Sequence, residues 1–400
     1  MLGFLSDGEG EPTWLDQRAL HHRALQVATA LSTLVEKGSK VVLVMSPGLD
    51  FSTAFLGTLY AGMVAVPAHP PDPSRLERTL PRFTRIVQHS EAKVVVGDAT
   101  LVAAGRILLH QVPALAGCRL LAMPDVDTLA DPNALSLPSP DDIAFLQYTS
   151  GSTRQPRGVV IRHRNIMANL GVIDGHVEIR PHEMVGIWLP PSHDMGLMVG
   201  LYSLVMGVPF LTMSPMAFIG RPRRWLEMVS KYRIAYSGGP NFGYELCLRK
   251  AAVDGEPQLD LSAWRVAFNG SEPIKLETLR RFEATFSSCG FQQSVAWMPC
   301  YGLAEVTVAA VGRRWDQPLV TGRFSRVATE EGELRPPKGE DGVVDLVGCG
   351  ALANLVSCDL RIVRPGDCIQ CDEGEIGEIC LRGPSVADGY HKEPRLTAAT

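Results

Sequence analysis

The sequence predicts an α/β protein: two similar, mostly parallel sheet subdomains flanked by helices, then a small β-subdomain. Three observations carry this. Short, continuous apolar runs recur as far as Val311, as expected of strands buried on both faces. Segments of helical period separate them, which is how parallel strands are joined. From Gly312 onward Gly, Pro and charged residues take over, broken by short strand-like runs.

In the first half, Leu20, Ala24, Val27, Ala28, Leu31, Leu34 and Val35 recur at helical spacing until Gly38 stops the run. Val41–Met45 reads as a β-branched strand, Phe51–Ala61 as a buried helix, Met63–Val66 as a strand and Arg75–His89 as an amphipathic helix. Val94–Val96 and Leu120–Met123 add two strands. The Pro- and Ser-rich stretch 131–140 reads as a linker, which sets a first α/β subdomain at 1–135. The alternation then resumes with strands Ile143–Gln147, Val185–Leu189, Ile234–Ser237 and Arg265–Phe268. Helices Pro222–Lys231 and Lys275–Ser287 lie among them, which sets a second subdomain at 136–311. Val343–Val347, Leu360–Val363 and Glu375–Leu381 suit a β-subdomain at 346–400, with 312–345 between as an insertion-like segment. No closing element is evident in the final stretch from Pro394 to Thr400.

Composition excludes several classes. With 46% hydrophobic residues and a net charge of −5, the chain is neither disordered nor electrostatically drawn to nucleic acid or anionic membrane. Met1-Leu-Gly-Phe-Leu5 has no basic start and is not a signal peptide. Met195–Gly220 is uncharged, but Gly207-Val-Pro209 and Ser214-Pro215 interrupt it. A spanning helix needs ~20 unbroken apolar residues, so we expect a buried helix turning into a buried strand, and no membrane span. Nine cysteines, an odd number in a long chain, do not suit a secreted disulfide framework. Cys368-Ile-Gln-Cys371 has zinc-ligand spacing, with Cys358 and Cys380 nearby, but a structural zinc site shows two close pairs. Reduced thiols in a cytoplasmic protein are the expectation.

Chemistry concentrates first at Tyr148-Thr-Ser-Gly-Ser-Thr-Arg-Gln-Pro-Arg-Gly158, placed between a buried strand and a helix. Its hydroxyls and glycines make a cradle of donors for phosphate oxygens, with Arg154 and Arg157 adding charge. It lacks the Gly-x-x-x-x-Gly-Lys-Ser/Thr pattern, and a polar connecting loop is the alternative reading. Four further motifs follow: Trp188-Leu-Pro-Pro-Ser-His-Asp-Met-Gly196, Ser237-Gly-Gly-Pro-Asn-Phe242, Arg265-Val-Ala-Phe-Asn-Gly-Ser-Glu-Pro273 and Pro299-Cys-Tyr-Gly-Leu-Ala-Glu-Val-Thr307.

In this order and spacing the five motifs resemble the adenylate-forming superfamily over nearly the whole chain, and look most like the large N-terminal domain of its fatty acyl-AMP ligase branch. The resemblance implies that a fatty acid carboxylate attacks the α-phosphorus of ATP, giving an acyl-adenylate and pyrophosphate. The acyl group would pass to the phosphopantetheine thiol of an acyl carrier protein. An acyl-CoA ligase shares the first half-reaction. A non-catalytic acyl- or nucleotide-binding paralogue is the rival from outside enzymology.

The same resemblance implies roles. Thr149, Ser150, Gly151, Ser152 and Thr153 would wrap the β- and γ-phosphates, and Glu305 with Thr149 would hold Mg²⁺, a hard cation suited to such oxygens. Asn269, Gly270, Ser271, Glu272 and Pro273 would line the adenine, with Cys300, Tyr301, Gly302, Leu303 and Ala304 beside it and the Tyr301 ring stacked on it. Thr307 would contact the α-phosphate. His193 would position the reacting carboxylate, although a lone His is otherwise a satisfied interior residue, and Asp194 would cap the next helix. Met195, Leu197, Met198, Leu201, Met213, Met216, Phe218, Gly238, Gly239, Pro240 and Asn241 would line an acyl tunnel, core packing being the alternative for each. Arg154 stands where the family loop has Gly, and Arg157 where it has Lys. The family's ribose-binding aspartate, hinge and C-terminal lid domain with the adenylation lysine would lie beyond Thr400. By position, 312–345 resembles the insertion that marks acyl-AMP ligases off from acyl-CoA ligases.

Overall fold

A computed structural model describes residues 1–108, 115, 117–123, 126, 130–149, 156–251, 259–292, 296–339, 342–351, 358–366 and 369–400. In chain order it begins with β1 (Leu2–Leu5), β2 (Thr13–Leu15), α1 (Gln17–Leu34), β3 (Lys40–Val44), α2 (Leu49–Tyr60) and β4 (Val64–Pro67). Then come α3 (Leu76–Ser90), β5 (Val94–Gly97), α4 (Ala99–Leu108), β6 (Arg119–Ala122), β7 (Ile143–Thr149) and β8 (Arg157–Arg162). The middle holds α5 (His163–Val177), β9 (Met184–Ile187), α6 (Asp194–Val205), β10 (Phe210–Met213), α7 (Pro215–Gly220) and α8 (Arg223–Lys231). It continues through β11 (Ile234–Gly239), α9 (Asn241–Ala251), β12 (Val266–Asn269), α10 (Leu276–Phe286), β13 (Trp297–Tyr301) and β14 (Val311–Gly312). Last are β15 (Thr321–Ser325), α11 (Arg326–Glu330), β16 (Val343–Val347), β17 (Asp359–Val363), β18 (Glu378–Arg382) and α12 (Pro394–Ala399).

A six-stranded sheet runs β6-β5-β3-β4-β7-β8, and an eight-stranded sheet runs β14-β13-β12-β11-β9-β10-β1-β2. Both are parallel except at β7–β8, β1–β2 and β13–β14. Two antiparallel hairpins, β15–β16 and β17–β18, follow. The central strands read as continuous apolar runs because both of their faces are covered: Val41, Val42, Leu43, Val94 and Val96 have no exposure.

Four expectations need correction. The boundary at residue 135 does not separate the sheets. β1 pairs in parallel with β10 and so joins the second sheet, while β7 and β8 complete the first. The loop after β7 leads into a strand, not a helix. Gly158-Val-Val-Ile161 pairs back on β7 and buries Val159 and Ile161 before α5 starts. The boundary between 345 and 346 cuts β16, whose five residues pair across to β15. Finally, Pro394–Ala399 forms a short helix, with Pro at its first position where no N–H is needed.

An aromatic cluster braces the second sheet. Trp225 (α8), Tyr244 (α9), Trp264, Phe282 (α10) and Trp297 (β13) are buried, with contacting ring centroids 4.9–6.3 Å apart. Their polar tips are satisfied, as burial requires. Trp225 Nε1 donates to Ser237 Oγ (2.8 Å), the Tyr244 hydroxyl to Phe268 O (2.7 Å) and Trp297 Nε1 to Glu283 Oε1 (2.7 Å). These bonds tie α8, α9 and α10 to the strands β11, β12 and β13. Arg265 forks onto Glu183 (2.7 and 2.6 Å) and pins the start of β12 to the approach to β9. Among the described residues no helix is long and apolar enough to cross a membrane. The uncharged stretch resolves into the expected helix and strand, α6 and β10, and then a short further helix, α7, divided at its two breaks.

Candidate active site

In open parallel sheets, ligands bind beyond the carboxyl ends of the strands. Here the ends of β12 and β13, with α5, α6 and Tyr236 of β11, enclose a narrow apolar cavity of about 70 Å³. Its walls include Ile173, Met195, Met198, Val199, Phe268 and Met298, and Ser271, Tyr301 and Gly302 also border it. The backbone after β13 doubles back so tightly that a Cβ on Gly302 would lie 1.7 Å from the Val308 carbonyl oxygen, so only glycine fits. Ser271 takes a left-handed φ of 66° in the turn after β12.

A second, polar cavity of about 500 Å³ adjoins the end of β7. His69, Arg78, Arg82, Gln147, Tyr148, Thr149, Ser192 and His193 line it. Gln147 is buried, donates to Ser192 O (3.2 Å) and keeps an Oε1 with no partner among the described residues. Asp194 borders both cavities and therefore marks their junction.

The junction has its own electrostatics. His193 caps α6, and its Nδ1 lies 2.6 Å from Asp194 Oδ1. The same oxygen accepts from Met195 N at 2.7 Å. Because Nδ1 donates to the carboxylate, the longer contact from Met195 N to Nδ1 (3.4 Å) contributes little. Asp194 thus satisfies the helix start and orients the ring, which stays half exposed with Nε2 free of that bond. The hydrogen bond to Asp194 holds the His193 imidazole above its ordinary pKa.

Glu305 lies half buried in the turn after β13. Its Oε1 accepts from the Tyr390 hydroxyl at 2.5 Å, and its other oxygen has no partner among the described residues. Tyr390 also bridges to Val159 of β8, so it connects Glu305 to the strand that starts at Arg157. Burial lifts the Tyr390 hydroxyl to about 12, which keeps it a donor at neutral pH.

Several expected site residues come together. Met195, Met198, Ser271, Cys300, Tyr301 and Gly302 border the apolar cavity, and Thr149 and His193 the polar one. Ser150, Gly151, Ser152, Thr153 and Arg154 lie outside the described residues, as does Cys368. Asn269 and Gly270 end β12 and begin its turn, with Asn269 Oδ1 buried and without a hydrogen-bond partner among the described residues. Glu272 instead accepts from Phe242 N (2.5 Å), so it fastens α9 to that turn next to exposed Pro273. Leu303 and Ala304 carry the chain from Gly302 into the Glu305 turn, where Ala304 is buried.

Others fall elsewhere. The Thr307 hydroxyl is fully buried and donates to Ser385 O (2.8 Å), so it holds the chain and not a phosphate. The Tyr148 hydroxyl, one of those assigned to the cradle, meets His89 Nδ1 at 2.8 Å. Met213 and Phe218 are core, Phe218 stacked on Trp188 at 3.9 Å. Gly238 and Gly239 pack against Phe268 and Trp188. Asn241 is buried and bonds Thr278 Oγ1 and Lys275 N, and Pro240 precedes it at the head of α9. Leu197 and Leu201 line a separate small cavity with Phe51 and Phe55, and Met216 is 72% exposed. Among the described residues no cluster of three or more His, Cys, Asp or Glu could hold a metal.

Sequence reasoning missed Tyr236, His176, Ile173 and Tyr390. Tyr236 stands next to a quoted motif, but the others carry no local signal.

This geometry belongs to a known class. The profile of the AMP-binding enzyme family matches residues 4–391, and the chain belongs to that family. Among its relatives is the medium-chain-fatty-acid–[acyl-carrier-protein] ligase JamA of Moorena producens (strain JHB), 36% identical over 99% of this chain and 68% of that protein. The crystal structure of a fatty acid AMP ligase from Legionella pneumophila superposes with a TM-score of 0.89 at 32% identity, covering all of this chain and 68% of that one. A fatty acyl-adenylate ligase from L. pneumophila, solved with acyl adenylate and pyrophosphate, gives 0.87 at 32% identity, covering 99% and 68%.

Proposed function

We propose that this chain is the large domain of a fatty acyl-AMP ligase, which activates a fatty acid with ATP and passes the acyl group to the thiol of an acyl carrier protein. The observation that carries this is the junction at Asp194, where an apolar slot bordered by Ser271 and Tyr301 meets a polar cavity bordered by Thr149, Arg78 and Arg82. An acyl chain suits the slot, and polyphosphate suits the basic side. The reacting carboxylate and α-phosphorus then meet beside His193.

The residues divide the work by chemistry. His193, held by Asp194 and tending to the imidazolium, offers Nε2 to an anionic oxygen at the junction and fixes the carboxylate for in-line attack. Tyr301 offers a ring face to adenine, and its half-buried position limits competition from water. Glu305 and Thr149 fit a hard cation: a carboxylate oxygen without a partner and a half-buried hydroxyl at the strand end. Mg²⁺ bound there supplies charge neutralisation for departing pyrophosphate. The β15–β16 hairpin packs β16 against α10, and we assign 312–345 the task of restraining the lid so that CoA is a poor acceptor.

Mass spectrometry of products from the full-length protein with ATP and mixed fatty acids tests the reading. Acyl-AMP should form, and Tyr301→Ala should weaken its binding by ~1–3 kcal/mol, the scale of aromatic stacking on a base. Glu305→Ala should depress pyrophosphate release while sparing acyl-AMP binding. Acyl-AMP that never forms, or equal losses for both ligands in both variants, would overturn it.

A further inference from the structure

The apolar cavity is not uniformly apolar. Two of its fully buried lining residues carry polar groups, His176 and Tyr236, each 3% exposed. His176 is satisfied: Nδ1 donates to Val172 O (2.6 Å) and Nε2 accepts from Gly312 N (3.2 Å). This fixes one neutral tautomer, and burial lowers its pKa in the same direction. Tyr236 is different. Its ring is wedged between Tyr202 (6.0 Å, near perpendicular) and Phe268 (5.1 Å), the residue borders the cavity, and its hydroxyl makes no hydrogen bond among the described residues. The neighbouring polar groups are all committed elsewhere. The Tyr202 hydroxyl goes to Asp174 (2.7 Å), Ser237 takes Trp225, and the Cys300 thiol goes to Asn269 O (3.5 Å).

A hydroxyl bordering such a cavity has water or a ligand to complete it, and losing that partner to an apolar group is costly. A plain alkyl chain filling this slot would expel water and strand the phenol. A chain bearing an oxygen at that depth would pair with it instead, and sites built this way reject analogues lacking the matching group. Phenylalanine would pack identically between Tyr202 and Phe268, so packing alone does not call for the hydroxyl.

We propose that Tyr236 is a specificity-determining residue and that the acyl substrate carries a hydroxy or oxo group along its chain, hydrogen-bonded to the Tyr236 hydroxyl. This rests on the adenylate reading above and deepens it by naming the substrate class. The oxygen's position is set by the depth of Tyr236 beyond the junction at Asp194.

Non-hydrolysable acyl-sulfamoyl adenosines of graded length test it: plain, hydroxy and oxo forms, with the oxygen moved stepwise along the chain. Each is titrated calorimetrically into the wild-type chain and into Tyr236→Phe. At one oxygen position the wild type should bind the substituted analogue at least about tenfold more tightly than the plain one, ~1.4 kcal/mol. That advantage should vanish in Tyr236→Phe, which should bind the plain analogue as well as the wild type does or better. Hydroxy and oxo arms separate an acceptor phenol from a donor. No gain at any position, or a gain that survives in Tyr236→Phe, would overturn the proposal. If no analogue binds, plain ones included, the adenylate reading fails and takes the proposal with it.

Discussion

Replacing Tyr390 by Phe should uncouple Glu305 from the strand that follows the loop. The ring of Tyr390 is 8% exposed and would keep its packing, so the change isolates one hydrogen bond, 2.5 Å from hydroxyl to Glu305 Oε1. Bonds to charged groups contribute ~1.5–3 kcal/mol, and a half-buried carboxylate that water can partly re-solvate belongs at the lower end. We therefore expect a coupling energy of about 1.5 kcal/mol, roughly tenfold in an equilibrium constant. A double-mutant cycle of Tyr390→Phe and Glu305→Ala, read by urea unfolding, isolates it. The same Tyr390→Phe variant should bind Mg²⁺-ATP several-fold more weakly while binding an acyl-adenylate analogue as before, since the adenylate no longer carries pyrophosphate. A coupling below about 0.5 kcal/mol, or equal loss for both ligands, would refute the reasoning.

Two further outcomes follow from the site. Asp194→Asn should return the His193 pKa toward its ordinary value near 6.5, followed by NMR titration of the ring. The raised folded value means that the pair stabilises the protein fully below about 6.5 and loses that contribution as pH rises through the folded pKa. The variant should lack this pH-dependent part, and an unchanged titration would remove Asp194 as its cause. Gly302→Ala places a methyl 1.7 Å from a backbone oxygen that has no flexible end to yield. Overpacking of this kind costs ~1–3 kcal/mol and more when backbone must move, so urea unfolding should show a loss near the top of that range. A loss within experimental error would mean the turn relaxes freely.

The most legible parts of the fold are those whose signal is local. Val41–Met45 and Val94–Val96 announce themselves as strands because burial on both faces leaves no polar position to confuse with a helix. Leu2–Leu5 does not. Four residues are too few to show a period, and their partner is Phe210–Met213, found only by tertiary pairing. In sequence Arg157–Arg162 reads as the approach to a helix because Gly158 followed by three apolar residues suits either state, and only pairing to β7 decides. The hydroxyl- and glycine-rich motifs at the ends of β7, β12 and β13 are legible as candidate chemistry, since such turns at strand ends have few other uses. The wall of the apolar cavity is not. Met213 and Phe218 differ from Met195 and Met198 in nothing but the direction their elements face, which sequence does not carry.

What organises the site is a segment that carries no catalytic signature. Residues 384–390 reach back to three elements at once. Asn165 Nδ2 of α5 donates to Pro384 O (2.8 Å) and Val386 O (3.0 Å), Thr307 Oγ1 donates to Ser385 O (2.8 Å), and Ala387 N donates to Glu305 O (2.8 Å). Asp388 takes Arg162 at the end of β8 and Arg164 at the start of α5, and Tyr390 closes onto the Glu305 carboxylate. Thr307, held at a φ of 75° that a β-branched residue avoids, needs such an external anchor. Glu305 is therefore aimed by backbone and side-chain bonds from far along the chain, while its own neighbours supply only a short turn. A carboxylate assigned to a cation, as proposed for Glu305, must not swing with the turn that bears it, and a strap fastened on both sides of it, at the Glu305 carbonyl and at Oε1, prevents that.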